Sequence, residues 1–403
     1  LSLPLTYTDW YLRKRFGDDH VENIRYMLSR CKEFGADRIL WRMFDAGYAN
    51  YNSAYADKFK FCKNDGYTFH TLFSANDEDF GFYKEYDHYD STMPDDFDTL
   101  KVASTICRDL GLEIYAWYSI NEDDHGCGLT SRFTREHPEF RWVRRNGERY
   151  HSQLSFAFPE VRAYKLNLIK ESFQYDIDGL FLDYMRTGDV RDDPQTDKNG
   201  YADYGYEKPF VDEYLRRYNV DPHDVPADDE KWLDLRNESI TEFMREVRRE
   251  VDENRPDFVI DAMGVHPYSY RGMPDEQKTD DAPDWLKKFG LTVHGGSKKS
   301  LLCDVETWAK EKLIDKFIVA AYYRKGYTLK NALSYAKELI EDTPVKLMAY
   351  SDLPNSAEKV YRFVSVAKEF GISELLFWEA DWMDTLVGNE FEAVSSAVKK
   401  IKE

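Results

Sequence analysis

The chain has 403 residues, enough to bury a large core, and a formal charge of −20. That acidity opposes nucleic acid and anionic membrane surfaces as partners. No apolar run approaches the roughly 20 residues that span a bilayer, so neither nucleic-acid binding nor membrane insertion is expected, and a neutral glycan or other small molecule fits better.

In chain order, short apolar runs alternate with amphipathic stretches. Strands are expected at Leu3–Thr8, Arg38–Phe44, Glu113–Ser119, Gly179–Asp183, Phe258–Met263, Lys316–Tyr322, Val345–Tyr350 and Glu374–Trp378. Runs of this length, bounded by Gly and charge, suit strands buried on both faces. Helices are expected between them at Val21–Phe34, Phe97–Leu110, Glu160–Gln174, Glu238–Asn254, Leu329–Glu341 and Ser356–Phe370. Gly35, Gly111 and Gly371 each close a helix just before a strand. Pro94 and Pro159 lie at or near helix starts, where a missing N–H is harmless. Eight β units alternating with helices predict an α/β fold, a (β/α)₈ TIM barrel. An open doubly wound sheet would carry an early Gly-rich phosphate turn, and none is present.

The connections are uneven. The spans 45–94, 121–159, 184–237 and 264–307 are long, and all follow strands. The expected organisation is therefore one barrel over 1–403 with four insertions on its C-terminal face, where barrel enzymes place their chemistry. Aromatic residues make up 16% of the chain. Some of the rings stand among Asn, Asp and Gly around Tyr48–Tyr55, Tyr67–Phe69 and Phe80–Tyr89, in segments that read as loop.

Polar side chains collect at the expected strand ends. The stretch Asp176–Arg186, DIDGLFLDYMR, ends a buried strand in Asp183, Tyr184 and Arg186. Elsewhere stand Asp9 and Trp10; Arg42 and Asp45; Trp117, Asn121, Glu122 and Asp123; Asp261 and His266; Tyr322, Tyr323 and Arg324; Tyr350 and Asp352; and Trp378, Glu379, Asp381 and Trp382. Each alone could cap a turn or form an ion pair. Their convergence on one face suggests glycoside hydrolysis, in which one carboxyl protonates the leaving oxygen and another attacks or activates water. The acid needs a partly desolvated, aromatic setting, which Glu379 has between Trp378 and Trp382. Alternation places Gly179, Phe181 and Asp183 on one strand face, and Leu375, Phe377 and Glu379 on another. If both faces point inward, Asp183 and Glu379 flank one bond. Asp261, Asp352 and Glu122 are reserve partners.

No HxH, HExxH or clustered Cys/His motif is present, so no metal is assigned, and no organic cofactor is implied. The acidic run Asp192–Asp197 reads as a solvated loop, with a structural Ca²⁺ site as the alternative. Cys31, Cys62, Cys107, Cys127 and Cys303 form no CxxC pair and read as mostly free, buried thiols, with one or two disulfides as the alternative in an exported protein. No Ser or Cys stands in a GxSxG context. Arg42, Arg186 and Arg324 are read as neutralising and orienting the acids; binding an anionic sugar substituent is the alternative.

Five segments carry a family resemblance: LGLEIYAWYSIN at Leu110–Asn121, HPEF at His137–Phe140, RRNGER at Arg144–Arg149, FPEVRAY at Phe158–Tyr164, and DIDGLFLDYMR. In this order the chain resembles the bacterial glycosyl-hydrolase-like family 10 group. The resemblance implies a (β/α)₈ hydrolase of polysaccharide or peptidoglycan-type glycans, extracellular or periplasmic. Asp183, Tyr184 and Arg186 match that group's strand-four motif, and Trp117 its strand-three motif. Phe181 replaces the motif's His, and YMRTGD departs from the usual continuation. Glu379 rests on the barrel argument and not on the resemblance.

The expected site thus comprises Asp183 and Glu379 as catalytic carboxyls. Arg42, Trp117, Asn121, Tyr184, Arg186, Asp261, His266, Tyr323, Arg324, Asp352, Trp378 and Trp382 line a carbohydrate-binding cleft. Two rivals stand beside a hydrolase: a non-catalytic glycan-binding barrel, and a metal-dependent deacetylase or amidohydrolase. Sugar, linkage, stereochemistry and oligomeric state are not legible.

Overall fold

The computed structural model describes residues 1–6, 15–45, 47–58, 94, 96–121, 131–183, 204–227, 229–265, 303–320 and 329–401. Strands among these are β1 (Ser2–Leu5), β2 (Arg38–Asp45), β3 (Tyr48–Ala49), β4 (Glu113–Ser119), β5 (Arg141–Val143), β6 (Arg149–Leu154), β7 (Gly179–Asp183), β8 (Val259–Val265), β9 (Lys316–Ala320), β10 (Lys346–Asp352) and β11 (Leu375–Trp378). Eight of them, β1, β2, β4, β7, β8, β9, β10 and β11, pair in parallel in that order. β1 pairs with both β2 and β11, which closes the sheet into a (β/α)₈ barrel.

Strict alternation sorts the side chains. Leu40, Tyr115, Trp117, Phe181, Met263, Ile318, Met348, Tyr350 and Leu376 fill the barrel interior. Their neighbours in sequence, such as Trp41, Ala116, Leu182, Ala262 and Phe377, pack outward against the helices. Strands buried on both faces therefore read as continuous apolar runs. Gly179 shows how tight the wall is: a Cβ there would lie 2.4 Å from the carbonyl oxygen of Val259 on the next strand.

The helices His20–Phe34 and Thr99–Leu110 end at Gly35 and Gly111 in the left-handed conformation, which spares a side chain the steric cost. Pro159 opens the helix Pro159–Glu171 at its first turn. The helix Glu230–Asn254 starts eight residues earlier than the sequence pattern suggests. Asp229 caps it, accepting from the Trp232 N–H at 3.0 Å. Its first turns direct Trp232 and Leu235 onto Tyr206, Phe210 and Tyr214 of the preceding insertion. The apolar stripe thus changes partner along the helix, which hides the start from a single-period reading.

Two insertions meet here. The hairpin β5–β6 follows β4, and the segment from Tyr204 through the helix Lys208–Tyr218 follows β7. The Val143 N–H donates to Glu207 at 3.2 Å, and Arg144 donates to the Tyr204 hydroxyl at 2.8 Å. Glu207 is 1% exposed, and this burial pushes its carboxyl up to about 7 against the pull of Arg236. Cys31, Cys107 and Cys303 are buried; Cys62 and Cys127 lie outside the described residues.

Candidate active site

Asp183 closes β7, where the strand leaves the barrel. Phe181, two residues earlier, lies in the interior, and Asp183 continues on that face. The carboxylate is 2% exposed, and the Trp117 indole N–H donates to its Oδ2 at 3.2 Å. The ladder sets this contact: Trp117 is registered with Phe181 and Ser119 with Asp183. The Asp183 carbonyl in turn accepts the N–H of Ile120 at 2.9 Å.

Aromatic and guanidinium groups surround the pair. The Arg42 guanidinium lies 4.5 Å from the Trp117 ring centroid, a cation–π distance, and its Nε donates to the Phe44 carbonyl at 3.4 Å. Trp378 meets Trp117 edge-on at 5.1 Å, and Tyr350 stands 6.1 Å from Trp378. Four strands, β2, β4, β10 and β11, thereby fix the indole that holds Asp183. Asn121, 2% exposed, stands two residues past the end of β4.

The other expected site residues divide into three sets. Asp352 ends β10, exposed, in register with Trp378. Trp382 stands on the 3₁₀ turn Ala380–Thr385 and is 51% exposed. Tyr184, Arg186, His266, Tyr323 and Arg324 lie outside the described residues, as do Asp9, Trp10, Glu122, Asp123 and the run Asp192–Asp197.

Two expectations need correction. The alternation argument for Glu379 fails, because Phe377 faces the helix layer, 5.4 Å from Phe363. On β11 it is Trp378 that shares the interior with Asp183. Glu379 is half-buried beyond the strand end, after a cis Trp378–Glu379 peptide.

Asp261 is not at a strand end either. β8 runs four residues past it to Val265, and Asp261 is registered with Lys316, the first residue of β9. It lies in the lowest interior layer, fully buried, with the Arg38 Nη1 at 3.7 Å. Arg38 also bonds Glu113 and Glu374 at 2.8 and 3.0 Å, and Lys316 bonds Glu374 at 2.6 Å. Burial pushes the Asp261 carboxyl up to about 7, against the pull of Lys316 and Arg38. Glu374 moves the other way: burial raises it, but Lys316 and Arg38 outweigh that and hold it below its ordinary range.

Sequence reasoning missed Ser119, although alternation from Trp117 points to it. It is 1% exposed beside Asp183. Among the described residues no group of three or more His, Cys, Asp or Glu is placed to hold a metal ion. No helix among them is long and apolar enough to cross a membrane.

A closed parallel barrel with a buried carboxylate at the C-terminal tip of its fourth strand, set among indoles and a guanidinium, defines a glycoside-hydrolase-like barrel. The chain belongs to the family described as glycosyl hydrolase-like 10, whose model matches residues 52–355. Among curated proteins nothing matches. Among solved structures, the glycoside hydrolase domain of PgaB (BpsB) from Bordetella bronchiseptica is similar at 12% identity and a TM-score of 0.58, over 98% of each chain. The catalytic domain of a beta-amylase from Paenibacillus polymyxa is similar at 11% identity and 0.59, over 100% of this chain and 98% of that one. A beta-galactosidase from Bacillus circulans sp. alkalophilus gives 9% identity and 0.57, over 100% of this chain and 55% of that one. At these identities the likeness is one of fold.

Proposed function

We propose that this protein is a glycoside hydrolase acting on a neutral polysaccharide or oligosaccharide at the C-terminal mouth of the barrel. The observation that carries the reading is Asp183, buried at the strand-four tip with Trp117 donating to its Oδ2. A hydrogen bond from an indole to a carboxylate fixes its orientation, as a nucleophile or base requires. Its partner must be a carboxyl able to carry a proton. Glu379 is assigned that role on its half-buried place between Trp378 and Trp382; Asp352, at the neighbouring strand end, is the reserve. Trp378 supplies the apolar wall of the subsite and Trp382 an outlying platform, while Trp117 orients Asp183 and Arg42 holds the Trp117 ring. Tyr184, Arg186, Asn121, His266, Tyr323 and Arg324 are assigned to the same cleft from sequence. We further infer one barrel over 1–403 whose insertions wall the cleft, and a place of work outside the cytoplasm, as the family resemblance implies.

The test is Asp183→Asn, an isosteric change that removes the charge. On cello-, chito-, xylo- and malto-oligosaccharides, turnover should fall at least about 10³-fold while the dissociation constant stays within a few-fold. A wild type that binds these glycans without cleaving them would favour the glycan-binding barrel. Turnover that dies with chelator and returns with Zn²⁺ would favour the metal-dependent deacetylase.

A further inference from the structure

Ser119 is the last residue of β4 and shares its inward face with Tyr115 and Trp117. It is registered directly with Asp183 on β7. Adjacent strands lie about 4.8 Å apart, so the two residues are immediate neighbours across the ladder. Each neighbour of Ser119 has a bond. The Trp117 N–H reaches Asp183, the Tyr118 hydroxyl reaches the Leu168 carbonyl at 2.9 Å, and the Ile120 N–H reaches the Asp183 carbonyl. The Ser119 hydroxyl does not: its Oγ is fully buried and has no hydrogen-bond partner among the described residues.

An unpaired buried hydroxyl is costly, and such groups in native proteins mark places where water or a ligand completes the bonding. A serine hydroxyl both donates and accepts, as does a sugar hydroxyl. Resting on the glycosidase reading of Asp183, we propose that Ser119 is a substrate-binding residue for the ring hydroxyl next to the anomeric carbon. A carboxylate working at that carbon leaves the adjacent hydroxyl facing the next strand, and that strand carries Ser119. Bonds to this hydroxyl strengthen as the transition state forms, so the contribution belongs in kcat more than in KM. Ser119 thereby selects against sugars lacking a hydrogen-bonding group at that position, because a site built around a hydroxyl rejects its absence strongly.

The experiment is Ser119→Ala in the full chain, with three readouts. The wild type is first assayed on the cello-, chito-, xylo- and malto-oligosaccharide panel. On whichever it cleaves, S119A should lower kcat/KM about ten- to a hundred-fold, mostly through kcat. On the 2-deoxy form of that sugar, the ratio of wild type to S119A should collapse to about one. The melting temperature of S119A should equal or exceed that of the wild type, because the removed hydroxyl has no hydrogen-bond partner among the described residues. A lowered melting temperature assigns the hydroxyl a structural bond and overturns the proposal. So does a variant as active as wild type, or a ratio unchanged on the 2-deoxy sugar. A wild type that cleaves none of the panel overturns the glycosidase reading and this assignment with it, whereas cleavage by both wild type and S119A at equal rates overturns the assignment alone.

Discussion

Strands β2 and β4 set an arginine on an aromatic ring at both ends of the barrel. At the lower end Arg38 lies 4.4 Å from the Tyr115 ring, and at the upper end Arg42 lies 4.5 Å from the Trp117 ring. Each end also buries one aspartate, Asp261 below and Asp183 above, at 0% and 2% exposure. The surroundings differ. Asp261 stands among cations, with neither oxygen hydrogen-bonded among the described residues, and burial carries it up to about 7. Arg38, Glu113, Lys316 and Glu374, all at strand starts, form a network with it. Asp183 takes a neutral indole N–H, and the chain beyond it enters a long connection. Burial of a carboxyl therefore does not identify an active site. What separates the ends is place: the lower acid stands among cations at the strand starts, and the upper acid ends its strand at the mouth with an indole N–H on one oxygen.

The sharpest way to break this division is to remove each charge in turn. D183N should lose at least about 10³-fold in turnover, and D261N should keep turnover within about three-fold. Matched oligosaccharide assays of both variants at pH 7 decide it; comparable losses would mean that the lower acid also serves the reaction.

Next in size is stability. Arg38 is one partner in a mostly buried network, and removing one member leaves the others uncompensated, at a cost of about 3–5 kcal/mol. Arg38→Met should therefore lower the unfolding free energy by that order in chemical denaturation. The fraction that remains folded should keep its activity, since Arg38 lies a full strand length from Asp183. Loss of activity in folded protein would tie the two ends together.

The pH dependence follows from the same network, with its sign fixed. Asp261 and Glu207 hold their protons up to about pH 7 when folded, whereas in the unfolded chain they release them near 4. Between those values the unfolded state binds fewer protons, so rising pH favours unfolding. The stability these protons provide is fully present below about pH 4 and is lost as pH approaches 7. D261N and Glu207→Gln, each an isostere of the protonated form, should each flatten that slope. Denaturation midpoints taken between pH 4 and 8 measure it, and a slope unchanged in both variants would contradict the burial argument.

The barrel was legible because burial on both faces makes its strands apolar and short. The segments Glu113–Ser119 and Gly179–Asp183 have the expected bounds, the expected end at Tyr322 lies outside the described residues, and the other strands shift by one to three residues. The hairpin β5–β6 and the helix Lys208–Tyr218 were not legible, because their apolar residues pack on each other, away from the barrel. The buried place of Asp183 at a strand end was legible from the abrupt change of character after an apolar run. The strand face of Glu379 and the strand-end place of Asp261 were misjudged for one reason: sequence tells which residues share a strand face, but not which face looks inward or how far the strand continues. Phe377 and Val265 answer those two questions only in three dimensions.

The smallest effects separate the two tryptophans of the upper end. Trp117 is fully buried and bonds Asp183, whereas Trp382 is half-exposed on the turn after β11. Trp117→Phe keeps a ring against Arg42 and Trp378 but deletes one hydrogen bond to a carboxylate, which should cost about ten-fold or more in kcat with little change in KM. Trp382→Ala removes apolar surface that a sugar meets equally in ground and transition states. It should raise KM about three- to ten-fold and leave kcat unchanged, the signature of uniform binding. Steady-state kinetics of the two variants on one oligosaccharide separate the cases. If W382A lowers kcat as W117F does, the reacting bond lies out toward Trp382, and the assignment of the chemistry to the indole-held acid must move with it.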